Sequence, residues 1–162
     1  MRCPMVILAA AFCGTAAGAH AQDSLPNPSR TPGATGSAVT QENIGETICV
    51  RGWTRTVRPL EEFTYQMKRR QLREWRYENR RLRDYEEDHL VPLALGGAPH
   101  DARNLWPEPR ISADGWGADR KDELEATLSR LVCSGQLRLA AAQAAIATDW
   151  IAAYRHYVSP AP

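Results

Sequence analysis

The chain is 162 residues long and 43% of its residues are hydrophobic, which is enough for one domain with a sizeable core. Its 20 basic and 19 acidic residues give a formal net charge of +1, so the overall balance does not by itself indicate a polyanion-binding protein. No internal repeat is visible, which excludes a repeat array.

The first 21 residues have the pattern of a cleaved export signal. Arg2 gives a short basic start, an apolar run extends from Met5 to Ala17, and Ala19-His20-Ala21 has the small-x-small form of a cleavage site. An uncleaved membrane anchor is the alternative, but a run of about 13 residues is shorter than the roughly 20 that a spanning helix needs. The sequence therefore predicts an exported protein, periplasmic or secreted, without stable membrane insertion after cleavage.

The four cysteines divide between the signal and the mature protein. Cys3 and Cys13 leave with the signal, so Cys49 and Cys133 remain, and a zinc site of four cysteines is excluded by number. Two cysteines in an oxidising compartment most simply form one disulfide, and two buried free thiols are the alternative. We predict a Cys49–Cys133 bond that joins the start of the domain to its C-terminal third.

Two regions follow the signal. Residues 22–40 combine prolines and glycines with Ser, Thr and Asn, lack apolar periodicity, and are predicted to be a flexible leader. Residues 41–158 are predicted to form a single domain. Its first part, 44–56, alternates apolar and polar residues and is predicted to be a short strand or hairpin arm that ends at Arg58-Pro59.

A long helix is predicted from Glu61 to about Arg83. Its apolar stripe recurs at steps of three, four and seven and comprises Tyr65, Leu72, Trp75, Asn79 and Leu82. Between Arg51 and Arg83 there are 11 basic residues against four acidic ones. This segregation favours a basic surface for a polyanion beside an acidic cluster for a cation, although a solvated helix face is the simpler alternative. The residues predicted here to bind nucleic acid are Lys68, Arg69, Arg73, Arg76 and Arg80.

The second half is predicted to contain two short strands and two helices, which makes the fold class α+β with little sheet. The predicted elements are a strand Tyr85–Val91, a loop with a Gly-Gly turn, a strand Leu105–Trp106 stopped by Pro107 and Pro109, a helix that runs to Cys133 after a cap at Asp114 or Asp119, and a last helix Leu139–Tyr157 with a buried stripe at Ala142, Ile146, Trp150 and Tyr154.

Asp88-His89, with Asn104 fifteen positions after the histidine, supplies the residue types that phosphodiester hydrolysis requires. The reaction needs a base to deprotonate water and a cation at the scissile phosphate. A histidine with an ordinary pKa of about 6.5 is mostly neutral at pH 7 and accepts a proton, and an aspartate is a hard oxygen ligand for Mg2+. The Asn104 amide, both donor and acceptor, is expected to bond across the loop backbone and fix the direction of His89.

At these residues the chain resembles the HNH, or ββα-metal, endonuclease superfamily. The matching run is Asp88-His89-Leu90-Val91-Pro92-Leu93, then Gly96-Gly97, then Asn104-Leu105, and the resemblance extends from Tyr85 to about Glu125. It implies a ββα-metal core, preceded by the basic helix and followed by a C-terminal helix pair. Asp88 would be a metal ligand, His89 the general base and Asn104 the brace of the loop. It also implies nucleic acid as partner and a divalent cation as cofactor, which we predict to be Mg2+.

The following helix departs from the family pattern. The family usually places a His or Asn there, whereas this chain has carboxylates and a lysine. Asp119, Asp122 or Glu123 is therefore predicted to complete the metal site as an oxygen ligand. Lys121 is predicted to contact a phosphate of the nucleic acid as a point charge.

The preferred hypothesis is an exported, metal-dependent endonuclease that cleaves DNA or RNA with little sequence specificity, since no base-reading motif is visible. The alternative is a non-catalytic envelope protein that uses the same scaffold to bind an anionic polymer or a protein partner. In that alternative, Asp88 and His89 are an ordinary hydrogen-bonded pair that stabilises a loop.

Overall fold

The computed structural model describes residues 24–159, so the predicted export signal at 1–21 lies outside the described residues. Within these residues, four helices and two strands confirm the α+β class. In chain order they are Trp53–Val57 (α1), Glu61–Glu74 (α2), Tyr85–His89 (β1), Leu105–Pro109 (β2), Ala118–Cys133 (α3) and Leu139–Tyr157 (α4), with short 3-10 turns at Ile44–Glu46, Leu82–Asp84 and Leu93–Leu95.

Strands β1 and β2 form a two-stranded antiparallel sheet. Its register runs from Tyr85 opposite Pro109 to His89 opposite Leu105. A ribbon of two strands is at best marginally stable in water, so helices must cover it. Helix α2 contacts both strands, and α3 reaches β1 from the other face through the side chain of Lys121. The sheet is therefore a thin layer between helices.

Strand β2 continues through Pro107 and Pro109, so the prediction that these prolines stop it is wrong. The carbonyl oxygen of Leu105 accepts a bond from Gln71 Nε2 at 3.0 Å, and that of Pro107 accepts one from the Tyr77 hydroxyl at 3.3 Å. These alternate residues thus turn their backbone polar groups toward the helix layer and away from β1. In such positions a proline does not remove a hydrogen bond of the ladder.

Helix α2 ends at Glu74, so the predicted helix is wrong beyond that residue. Arg76 has a left-handed backbone conformation with φ of 57°, which terminates a right-handed helix. Tyr77 then packs edge-on against Tyr85, with 5.4 Å between ring centroids. The predicted stripe is correct only in part, since the buried residues of α2 are Met67, Gln71 and Leu72, and Tyr65 is 41% exposed.

The predicted strand at 44–56 is also wrong. This segment contains the 3-10 turn and, after Gly52 in a left-handed conformation, the first residues of α1. The alternation of apolar and polar residues therefore does not mark a strand with one buried face. Ile48 lies in the core, whereas Val50 is 47% exposed.

Residues 24–40 pack on the domain, which corrects the expectation of a separate flexible leader. The carbonyl of Ser24 accepts a bond from Trp150 Nε1 at 2.8 Å. Gly33 donates its backbone N–H to Arg103 O at 3.0 Å, and Val39 is buried in the main core. Most of these contacts use backbone atoms, which leave no periodic signal in a sequence.

Helices α3 and α4 pack against each other and enclose the main hydrophobic core. The prediction of α4 is confirmed at both ends and in its buried stripe. Side chains of the core from these two helices are Leu124, Leu128, Val132, Ala142, Ile146, Trp150, Ala153 and Tyr154. Within residues 24–159, no helix is both long enough and apolar enough to cross a bilayer.

The Cys49–Cys133 disulfide is present as predicted, with 5.5 Å between the two Cα atoms. It joins the segment before α1 to the last residue of α3. Because 84 positions separate the two cysteines, the bond restricts a long stretch of the unfolded chain.

Replacing both Cys49 and Cys133 by serine is expected to lower the free energy of unfolding by about 2 to 4 kcal/mol, because the unfolded chain gains the freedom that the bond removes. Urea unfolding followed by circular dichroism measures the change. Wild-type protein treated with a reductant is the control and should unfold at the same midpoint as the double variant. An unchanged midpoint would contradict this account of the bond.

Candidate active site

The residues of the Asp88-His89 motif lie at the end of β1 and point to opposite faces of the sheet. Asp88 faces α3, where it contacts Lys121. Glu87, which shares a face with His89, interacts electrostatically with Lys68 and other basic groups of α2. The alternation of side chains along a strand separates the two motif residues in this way.

Asn104 closes the loop that connects the two strands. Its Oδ1 accepts the backbone N–H of Val91 at 2.9 Å, and its Nδ2 donates to Val91 O at 2.9 Å and to Ala98 O at 3.3 Å. The backbone carbonyl of Asn104 also accepts the N–H of Leu90 at 2.8 Å. The side chain is fully buried, so the amide has exchanged water for these loop partners. This is a brace across the loop backbone; its importance for catalysis stays a prediction.

The Gly-Gly turn makes the close approach to Asn104 possible. A Cβ atom added at Gly97 would lie 1.7 Å from Val91 O and 2.7 Å from Asn104 Nδ2. Gly96 adopts a left-handed conformation with φ of 74°, which a glycine accepts without cost. The N-terminal segment supports the same turn, because Gly36 donates to Gly96 O at 2.8 Å.

His89 is held by a backbone carbonyl of this loop. Its Nε2 lies 2.9 Å from Pro99 O, and because a carbonyl only accepts, Nε2 must carry the hydrogen. In the neutral ring Nδ1 then has the free lone pair. Burial lowers the pKa of His89, and the nearby positive charges of Arg58 and Lys121 act in the same direction, against the effects of Pro99 O and Asp88. The ring is therefore a neutral base at pH 7. The residue is only 5% exposed, so little of the ring is in contact with solvent.

Lys121 is fully buried, so the prediction that it contacts a phosphate is wrong. Its Nζ donates to Asp88 Oδ2 at 2.5 Å, to the backbone oxygen of His89 at 3.0 Å, and to Glu125. The sequence contained a signal for this burial, because Lys121 lies on the helical stripe that continues through Leu124 and Leu128.

The predicted helix ligands for a metal do not gather around Asp88. Asp119 and Asp122 are exposed, and Glu123 Oε2 accepts a bond from the Tyr154 hydroxyl at 2.6 Å, on the side of α4. Although Asp122 is exposed overall, partial burial of its carboxyl group raises its pKa, and the charge of Asp88 acts in the same direction. With Lys121 and the other side chains as they stand in the part of the chain that the structure describes, no group of three or more His, Cys, Asp or Glu side chains is arranged to hold a metal ion. The predicted ligand set therefore does not fit a divalent ion.

Three carboxyl groups near the motif were not expected to be covered: Glu108 is buried, and Glu87 and Glu125 are half-buried. Burial raises the pKa of Glu87 to about 9, an effect that the charge of Asp88 reinforces, and neither side-chain oxygen of Glu87 has a hydrogen-bond partner. Burial also raises the pKa of Glu125 to about 7 and that of Glu108 well above its ordinary value. An acid run such as Glu86-Glu87-Asp88 inside a strand is itself a signal, because alternate residues must face a covered side.

The basic residues predicted to bind nucleic acid have different surroundings. Lys68 is half-buried and donates to Tyr85 O at 3.0 Å. Arg69 lies over the ring of Tyr65, and Arg80 donates to the backbone oxygen of Tyr77. Arg76 and Arg80 follow the end of α2, so the predicted residues do not share one helix face. A groove of about 530 Å³ along α2 is lined by Glu62, Phe63, Gln66, Met67, Arg69, Arg70 and Arg73.

Arg58 was not among the predicted site residues, although its charge acts on His89. It follows α1 and is exposed. Phe63 of α2 and His100 of the loop contact each other edge-on, with 5.1 Å between ring centroids. No motif marks Arg58 in the sequence, because its position depends on how α1 packs against the turn at Leu93–Leu95.

Comparisons of the chain with protein-family models, with curated proteins and with solved structures gave no match. The geometry around His89 and Asn104 must therefore support any functional proposal.

Replacing Gly97 by alanine is expected to destabilise the protein by about 1 to 3 kcal/mol, because the added methyl group collides with Val91 O and the Asn104 amide. Gly45→Ala is a matched control, since nothing lies within 4 Å of its added Cβ. Thermal unfolding of both variants measures the difference. Equal midpoints for the two variants would show that the loop does not need this close approach.

Proposed function

We propose that the chain is an exported endonuclease that hydrolyses phosphodiester bonds of DNA or RNA with little sequence specificity, built on an HNH-like ββα core. The observation that carries the proposal is the neutral His89, held through Nε2 by Pro99 O and placed at the mouth of a loop that Asn104 closes. A fixed tautomer with one free nitrogen is what a general base requires.

In the proposed reaction, Nδ1 of His89 takes a proton from water. The water oxygen attacks phosphorus, the bond from phosphorus to the leaving oxygen breaks, and that oxygen then gains a proton from solvent. The guanidinium of Arg58 is the nearby exposed cation that could balance the charge on the phosphate. A guanidinium suits this task because its N–H groups match two phosphate oxygens.

The dependence on Mg2+ stays a prediction from the resemblance. The carboxylates predicted as ligands do not fit a divalent ion in their present arrangement, so no step of the proposed reaction is assigned to one. Metal dependence is instead measured as one arm of the experiment below.

The groove along α2 is proposed as the path of the nucleic-acid backbone. Arg69, Arg70 and Arg73 line it together with Phe63, which gives cations for phosphates and an aromatic ring for a base. Because such binding releases counterions, affinity should fall steeply with salt and vary little with sequence.

The second candidate is a non-catalytic envelope protein that binds an anionic polymer or a protein partner. Two observations favour it: Asp88 forms an ion pair with Lys121, and His89 is almost completely buried. Both are also compatible with a base that a substrate reaches after a small movement of the loop.

The test is to incubate purified mature protein with plasmid DNA and with RNA, in Mg2+, Mn2+, Zn2+ or chelator. Wild type should cleave, and His89→Ala should lose at least about a hundredfold in rate, the usual contribution of a general base. His156→Ala is the matched control, because His156 is exposed in the last turn of α4. The rate should decline only below a pH of about 6.5, since the His89 pKa is lowered and the base must be neutral.

Inertness toward both nucleic acids under every metal condition would remove the nuclease and leave the binding protein. Equal cleavage by His89→Ala and wild type would show that the activity belongs to another site or a contaminant.

A further inference from the structure

The space between β1 and α3 holds a positive charge that belongs to the chain itself. The ammonium group of Lys121 has three N–H donors, and three oxygens accept them: Asp88 Oδ2, His89 O and one Glu125 oxygen. Lys121 is fully buried, so this hydrogen bonding replaces all of its hydration.

The surroundings favour a cation in this space. Glu108 is also buried and acts electrostatically on Lys121 together with Asp88 and Glu125. Two carboxylate oxygens and one backbone oxygen accept hydrogen bonds from the ammonium group, which is the satisfied environment that a buried cation requires. The lysine therefore stays charged inside the protein.

The start of α3 is fixed in a way that aims Lys121 at β1. Gly117 directly precedes the helix, and a Cβ added there would lie 2.2 Å from Arg110 O. The chain leaving β2 thus presses against the first turn of α3. The backbone N–H of Lys121 bonds to Gly117 O at 3.2 Å, which ties the lysine to this close contact.

We propose that Lys121 is the fixed cation of this site, taking the place between Asp88, Glu108 and Glu125 that a divalent ion would need, and positioning His89 through its backbone oxygen. Lys121 is a positioning residue, because it acts on the base through Asp88 and the end of β1. The inference rests on the proposed function only in giving His89 a catalytic role. That Lys121 occupies the space between Asp88, Glu108 and Glu125 does not depend on the proposed function.

The role of charge can be separated from that of packing with two variants. Lys121→Met fills the same volume without a charge. Lys121→Ala removes the charge and opens space among three oxygen-bearing groups, the ligands that hard divalent ions prefer. Lys121→Ala should gain one Mn2+ site per chain and bind Mn2+ at least about tenfold more tightly than wild type or Lys121→Met. Adding Glu108→Gln to Lys121→Ala should weaken that site.

Two readouts that need no cleavage test this expectation. Mn2+ binding is measured by electron paramagnetic resonance, and the position of His89 by the NMR signals of its ring. Mg2+ should return the His89 signals of Lys121→Ala toward those of wild type and leave those of Lys121→Met displaced. A packing role alone would give no such rescue by a cation.

Two results would overturn the inference. One is a wild-type protein that binds one Mn2+ and loses it in Asp88→Asn, which would make a metal the cation of the site. The other is a folded Lys121→Ala that binds Mn2+ no better than Lys121→Met. If Lys121→Ala does not fold, the wild-type protein still provides the test. Wild-type His89 NMR signals that do not change when Mn2+ is added support Lys121 as the fixed cation. Inertness toward nucleic acid would remove the proposed nuclease and leave these binding results standing.

Discussion

The arrangement of the site depends first on the side chain of Asn104. Two strands of five residues each cannot hold the mouth of a long connecting loop by their own ladder. The Asn104 amide does so by taking both the N–H and the carbonyl of Val91 and reaching Ala98. With the loop closed, Pro99 O comes to His89. The direction of the imidazole ring therefore follows from one buried amide.

On both faces of the sheet, the negative charge next to His89 is compensated or removed. On the face toward α3, the Lys121 ammonium compensates the charge of Asp88 and bonds to the backbone of His89. On the face toward α2, Glu87 is held mostly as a neutral acid at pH 7, since burial raises its pKa to about 9. His89 thus has a compensated neighbour on one side and a protonated one on the other, which favours its neutral form.

The sequence predicted the parts that depend on local pattern or simple chemistry. The stripe of α4 and the Cys49–Cys133 bond belong to this group. So does the strand that begins at Tyr85, although it ends at His89 and not at the predicted Val91. Most of the hydrogen bonds that hold residues 24–40 use backbone groups, and the end of α2 depends on a left-handed Arg76, so neither leaves a usable signal. The burial of Lys121 was not predicted because a lysine is rarely buried without partners, and two of its three partners, Asp88 and the His89 carbonyl, come from β1.

The central claim is that the loop holds His89 as a neutral base with the hydrogen on Nε2, and the most direct measurement is its tautomer by 15N NMR of the ring at pH 7. We expect a neutral imidazole with Nε2 protonated and Nδ1 free, and a loss of that preference in Asn104→Ala. A ring that is doubly protonated at pH 7, or one that carries its hydrogen on Nδ1, would contradict it.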